Sequence, residues 1–143
     1  MNYREMECSD YDGLLTLWRE SEGVRIRDAD SREGIDRYLV RNPGLSFVAE
    51  FNREIVGTIM SGHDGKRGYI QHLAVKSNHR RQGIAVKLLS MCIRALEQNG
   101  IVKSHIHILN ENKQAMEFWS NRGWEKRLDI AVYSFINDNN QDS

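Results

Sequence analysis

Apolar residues recur along this chain at two periods, one near 3.6 and one near 2, and the switches between them predict its elements. "YREME", near the start, reads as a first strand. Ser9 with Asp12 three residues later predicts a capping box, opening a helix through Leu14, Leu15, Leu17 and Trp18. The polar loop "SEGVRIRDAD" follows, and a second helix is expected from Asp30 or Ser31 to just before Pro43. "LSFVAEF" and "EIVGTIMSG", joined at Asn52-Arg53, predict an antiparallel hairpin, and the turn "HDGKRG" leads into the buried strand "YIQHLAV". After Gly83, Ile84, Leu88, Cys92 and Leu96 share one helix face until Asn99-Gly100 ends it. "VKSHIHIL" alternates as a strand, and "NENKQAMEFWSNRG" predicts a short helix capped by Asn110 or Asn112 and terminated by Gly123. "WEKRL" and "IAVYSFI" are expected as two last strands. The order is β-α-α-β-β-β-α-β-α-β-β, an α/β (α+β) single domain whose mixed, largely antiparallel sheet carries helices on both faces.

Composition narrows the functions open to such a domain. The chain has 143 residues, and twenty basic side chains balance twenty acidic ones. No global field therefore points to nucleic acid or to an anionic membrane. No apolar run approaches the roughly 20 residues of a membrane span. The start "MNYREMECSD" lacks the apolar region of a signal peptide, so a cytoplasmic location is expected. Cys8 and Cys92 have no ligand-like spacing and read as core thiols in a reducing compartment. One domain is expected over residues 1–137, with 138–143 as a flexible tail.

Local charge breaks a rule at "NHRRQGIAVKLL". Helices favour acidic residues in the first turn, because that end of the dipole is positive. Here His79, Arg80 and Arg81 precede Gln82 and Gly83, so something negative is expected at the helix start. Unpaired N–H groups gather there, Gly83 admits a close ligand, and two arginines suit a polyanion such as a pyrophosphate. Two solvated loop arginines and a packing glycine would carry the same letters. The stretch is neither a Walker loop, which needs GxxxxGK[ST], nor a three-glycine dinucleotide fingerprint.

Together with "NENKQAMEFWSNRGW", the stretch "LAVKSNHRRQGIAVKLL" closely resembles the GNAT acetyltransferase superfamily, most like the bacterial branch that includes ribosomal-protein N-terminal acetylases. The first motif, [Arg/Gln]-x-x-Gly-x-[Gly/Ala], lies at Arg80 to Ala85; the second lies at Asn112, Ala115, Phe118, Trp119, Gly123 and Trp124. The resemblance runs from Asn2 to about Ile136 and implies acetyl-CoA as cosubstrate; no metal is expected, because His105 and His107 have no third or fourth ligand at suitable spacing. It implies that the main chain of Leu73, Ala74 and Val75 pairs with the pantetheine amides like an added strand. Arg80, Arg81, Gln82, Gly83, Ile84, Ala85 and Lys87 would cradle the pyrophosphate, while Asn112, Phe118 and Trp119 would line the pantetheine arm. The partners implied are acetyl-CoA and an amine acceptor, with a homodimer through an edge strand left open.

Acetyl transfer to an amine needs a base for the ammonium, a donor to the thioester carbonyl and a departing thiolate. His105 and His107 share one face of "SHIHIL", and His107 matches the position where some N-terminal acetylases carry a catalytic Glu. His107 is the first candidate base; two solvated strand histidines would look the same. On "YIQHLAV", alternation puts Tyr69, Gln71 and Leu73 on one face and His72 on the other, as a rival base or a satisfied core histidine. Trp119 stands where many relatives carry a tyrosine acid, and an indole N–H cannot usefully give up a proton. Trp119 is then a channel wall, and Tyr133 an alternative acid. The acceptor is expected at "SEGVRIRDADSREG", where Glu20, Glu22, Asp28 and Asp30 suit an ammonium and Arg25 and Arg27 a carboxylate or phosphate. The resulting expectation is an acetyl-CoA-dependent N-acetyltransferase acting on a primary amine by direct attack. The alternative is a non-catalytic acyl-CoA-binding sensor, which the missing tyrosine keeps open.

Overall fold

The computed structural model describes residues 1–137, and its contacts divide the chain into two compact units, Met1–His107 and Ile108–Ser143. The expected tail at 138–143 lies outside the described residues.

The first unit is built on a five-stranded sheet. Its strands are β1 (Asn2–Glu5), β2 (Phe47–Phe51), β3 (Glu54–His63), β4 (Gly68–Val75) and β5 (Ser104–Ile106), in that spatial order. The first four pair antiparallel, and β5 joins β4 in parallel. Helices α1 (Tyr11–Glu20) and α2 (Arg32–Arg41) lie between β1 and β2 in the chain, and α3 (Ile84–Gln98) lies between β4 and β5.

Each element has a local cause. A 3-10 turn at Cys8–Asp10 precedes α1, and Asp10 Oδ2 accepts from the Glu7 N–H at 2.8 Å. The box is thus Glu7–Asp10, on the 3-10 turn, and not Ser9–Asp12 on the helix, and α1 follows directly from that turn without a side-chain cap of its own. Leu14, Leu17 and Trp18 then fall at i, i+3 and i+4 and bury completely against Val48, Met60 and Ala74. Truncating a side chain so placed costs about 2–5 kcal/mol. Ser31 caps α2 by accepting from the Gly34 N–H at 3.1 Å. The β2–β3 hairpin turns through Asn52 and Arg53, both at positive φ (49° and 65°), as a two-residue I′ turn requires.

The opposite face of the sheet receives α3. A Cβ at Gly57 would sit 2.8 Å from Ile84 Cγ2 and 3.1 Å from Leu88 Cδ1, so the absence of a side chain lets α3 press onto β3. That contact sets where the start of α3 stands relative to the end of β4. Cys92 is buried on the same helix and donates to the Leu45 carbonyl, whereas Cys8 is exposed in its 3-10 turn and is no core thiol. Both cysteines are free.

The second unit contains α4 (Lys113–Ser120), capped by Asn112 Oδ1, which accepts from the Ala115 N–H at 3.0 Å. Gly123, at φ +83°, ends the helix region. No strand follows β5 among the described residues, so 124–128 and 130–136 depart from the expected pair of strands. Leu128, Ile130, Val132, Tyr133 and Phe135 are all exposed, by 56% to 94%. Alternation specifies a strand only where one face is buried and the backbone finds a ladder partner. Neither condition holds here. For the same reason β5 covers three residues rather than the eight of "VKSHIHIL".

Candidate active site

Strand β4 carries the first part of the site. Its register with β3 steps from Ala74↔Thr58 to Gln71↔Met60, three residues against two, so one extra residue bulges out of β4. His72 sits at this bulge with φ +52°. The bulge cancels the alternation expected for "YIQHLAV". Gln71 interacts with Tyr38 of α2, and His72 reaches Trp18 and Asp30, so both turn to the α1–α2 side of the sheet rather than to opposite sides.

The same strand is open along its other edge. β5 pairs with β4 only from Gly68↔Ser104 to Ile70↔Ile106. Beyond Ile70 the two strands part. On the β3 side, Lys76 N–H donates to the Val56 carbonyl at 2.8 Å, so Ala74, two residues earlier and opposite Thr58, also turns its backbone groups to β3. Val75, between them, presents its backbone groups to the open side, while Leu73 lies within the bulge. Of the three residues expected to bond a strand-like ligand, Ala74 turns to β3 and Val75 to the open edge. The Val75 carbonyl already accepts from Arg80 Nε at 3.1 Å, which folds that guanidinium back against the strand end.

The open edge leads into the anion loop. A 3-10 turn at Ser77–His79 is followed by Arg80, Arg81 at φ +62°, Gln82 and Gly83 at φ +81°, all four exposed. Gly83 is the residue before the helix, and the Lys87 N–H is the first to close a helical bond, onto the Gly83 carbonyl at 3.0 Å. Helix geometry leaves the N–H groups of Ile84, Ala85 and Val86 without intrahelical partners. A Cβ at Gly83 would meet nothing within 4 Å, so the glycine serves the left-handed backbone and the open approach, not packing. Lys87 is exposed, with Nζ 5.9 Å from the Tyr3 ring centroid.

Three histidines of this unit were candidates. His105 lies opposite Tyr69 in register, their ring centroids 5.8 Å apart. His107 is exposed, one residue past the end of β5. His72 is the best held, with Nε2 2.8 Å from Asp30 Oδ1 and a side chain only 12% exposed. Asp30 is correspondingly withdrawn from the acceptor candidates: it is buried and its carboxylate is spent on His72 and the Arg27 N–H. Glu20, Glu22 and Asp28 remain exposed on or beside that connection. The pairing of Asp30 with His72 was hidden in the sequence, where 42 positions separate them and no glycine marks the bulge.

In the second unit, Trp119 packs edge-on against Trp124 at 4.6 Å and meets Phe118 at 5.5 Å. Arg122 lies over the Phe118 ring, 4.1 Å from its centroid. The Asn112 carbonyl oxygen is engaged as the helix cap, leaving Nδ2 as the group that can donate. Tyr133 is 94% exposed in an irregular stretch. Among the described residues no group of three or more His, Cys, Asp or Glu side chains could hold a metal, and no helix is long and apolar enough to cross a membrane.

Comparison with known proteins places this geometry. The family model described as the acetyltransferase (GNAT) family matches residues 11–124. A protein of Pectobacterium atrosepticum named an acetyltransferase is 33% identical over 125 residues, covering 87% of this chain and 88% of its own. A second acetyltransferase, from Sodalis glossinidius, is 31% identical and covers 92% of each chain. Among solved structures, the PaiA N-acetyltransferase of Thermoplasma acidophilum, in complex with coenzyme A, superposes with a TM-score of 0.74 at 19% identity, over 85% of this chain and 87% of that one. That last likeness is one of fold. The family match and the sequence relatives carry the assignment: the chain belongs to the GNAT family of acetyltransferases.

Proposed function

We propose that this acetyltransferase moves the acetyl group of acetyl-CoA to a primary amine, on a small molecule or a peptide N-terminus, by direct attack on the thioester. One observation carries the reading. Among the described residues no strand pairs with β4 beyond Ile70 on its β5 side, and that edge, where Arg80 Nε meets the Val75 carbonyl, runs into a left-handed Gly83 and the bare N–H groups at the start of α3. An amide-bearing arm suits the edge, and a pyrophosphate suits the helix start with Arg80 and Arg81 beside it. The bound cosubstrate supplies an activated acetyl thioester. The chain's own residues have two further tasks, orienting the amine and taking its proton, for which the candidates are His107, His105 and His72. Asn112, Phe118 and Trp119 are proposed to line the pantetheine arm, with Trp119 as a wall and not an acid. A thiol is a tolerable leaving group, its ordinary pKa being about 8.5, so a dedicated acid is dispensable.

The test is thiol release from acetyl-CoA with a panel of amino acids, polyamines, aminosugars and short peptides, with mass spectrometry of the acceptor. An acetylated amine at one CoA released per acetyl transferred is expected. CoA binding without transfer to any amine would instead favour an acyl-CoA sensor.

A further inference from the structure

The Asp30–His72 pair is built more carefully than a core histidine requires. Nε2 of His72 lies 2.8 Å from Asp30 Oδ1, while Asp30 Oδ2 accepts from the Arg27 N–H at 3.0 Å. The Tyr11 hydroxyl donates to the Asp30 carbonyl at 2.8 Å, fixing that residue from α1. The His72 ring also packs against the Trp18 indole in an edge-to-face pair, centroids 4.7 Å apart and planes at 72°. Trp18 Nε1 donates to Thr58 Oγ1 at 3.0 Å, and Thr58 Oγ1 donates to the His72 carbonyl at 2.8 Å. Ring and backbone are therefore both held, at a backbone conformation that is uncommon for a residue with a Cβ.

This arrangement selects one tautomer. An ionised carboxylate only accepts, so in the neutral ring the proton sits on Nε2 and the lone pair on Nδ1. Nδ1 has no hydrogen-bond partner among the described residues. The only fully buried side-chain nitrogen or oxygen without a partner among them is Asp36 Oδ1, so Nδ1 is not fully buried. An imidazole oriented by a carboxylate on one nitrogen, with the other bare, has the geometry of a general base. It also stands next to Leu73, where the open β4 edge begins, and is tied through Asp30 to the α1–α2 connection.

We propose that His72, oriented by Asp30, is the general base of acetyl transfer, with Asp30 as its positioning residue. The proposal rests on reading the chain as an N-acetyltransferase. An ammonium proton moves to Nδ1, and the freed nitrogen lone pair forms the N–C bond at the acetyl carbonyl carbon. The C–S bond breaks with its electron pair on sulfur. The second nitrogen proton and the one on Nδ1 leave to the thiolate and to water. The titratable or charged groups around His72 are Asp30, with Arg27 and Tyr11 held on it, and Tyr38 of α2, which interacts with the neighbouring Gln71.

The experiment compares wild type, His72→Gln, Asp30→Asn and His107→Gln by pH–rate profile, kcat against KM for the acceptor, and CoA affinity. His72→Gln should lower kcat by about 10²-fold or more and remove the acid limb of the profile, with CoA affinity kept. Asp30→Asn should lower kcat less and displace the limb, and Asp30→Glu should recover part of the loss. The limb should remain in His107→Gln. His72→Asn, which tolerates positive φ better, gives the same reading where glutamine disturbs the bulge. The base role is overturned if the limb persists in both His72 variants, if His107→Gln removes it instead, or if CoA affinity falls in step with kcat. A wild type that acetylates no amine overturns the underlying reading as well, and is distinguished by the absence of any turnover to compare.

Discussion

Among the described residues, four other than glycine hold positive φ: Asn52, Arg53, His72 and Arg81. The first two make a hairpin turn and need no further reason. The other two bracket the open end of β4, at its bulge and in the loop before α3. Each such conformation costs about 1–2 kcal/mol for a residue with a Cβ, so two of them at one site mark it as shaped for more than packing. Trp119 is the opposite kind of residue, its side chain packed on Phe118 and Trp124. If it is a wall, Trp119→Phe should leave turnover within a few-fold, and Trp119→Tyr should equal or raise it by offering an acid. A collapse of kcat in the phenylalanine variant, with CoA affinity intact, would assign the indole N–H a chemical part. At this scale the sequence was informative where one residue type has one physical use, as with Gly83. It left His72 open between rival base and core histidine, because its environment is made by residues 14 to 54 positions away.

At the scale of elements, β1, the 3-10 turn before α1 and β2 are tied by one arginine. Arg4 makes two bonds to Asp10, at 2.8 and 2.9 Å, and a third to Glu50 at 3.2 Å. Burial works to raise the Asp10 pKa, but the bonds from Arg4 and from the Glu7 N–H outweigh it and hold the carboxyl below the ordinary range. Glu50 is lowered as well, chiefly by its bond to Arg4. A carboxylate depressed in the folded state binds fewer protons there than in the unfolded chain. Its contribution is fully present above the unfolded value, near 4, and is lost as pH falls through the folded value. Thermal melts should therefore show stability declining on acidification below about pH 4–5. Arg4→Ala should flatten that decline and cost about 1–3 kcal/mol at neutral pH. An unaltered acid slope in the variant would remove the cluster from the account. Element prediction succeeded where period and punctuation agreed, as at Ser31, Asn52-Arg53 and Gly100. It failed at 124–136, where alternation is clear but no partner strand completes the ladder within the described chain.

For the whole molecule, the order of elements from β1 to α4 was legible, because each apolar stripe finds its face in the sheet or on a helix. The loop proposed to hold the cofactor stood out for a different reason: charge stacked against a helix dipole suits an anion. The acceptor side did not, since exposed charges on a connection look alike whether or not they bind anything. The account therefore stands on the β4 edge and the loop from Arg80 to Ala85, and calorimetry with CoA on Gly83 variants tests that most directly. Space is open at the Gly83 Cβ, so Gly83→Glu would place a carboxylate at the anion position without a clash. Gly83→Asn, which tolerates the left-handed backbone, controls for strain. The account predicts that CoA binding is lost in Gly83→Glu, retained in Gly83→Asn and reduced less by Arg81→Ala, because the backbone donors remain. CoA affinity in Gly83→Glu equal to that of wild type, in a folded protein, would contradict it.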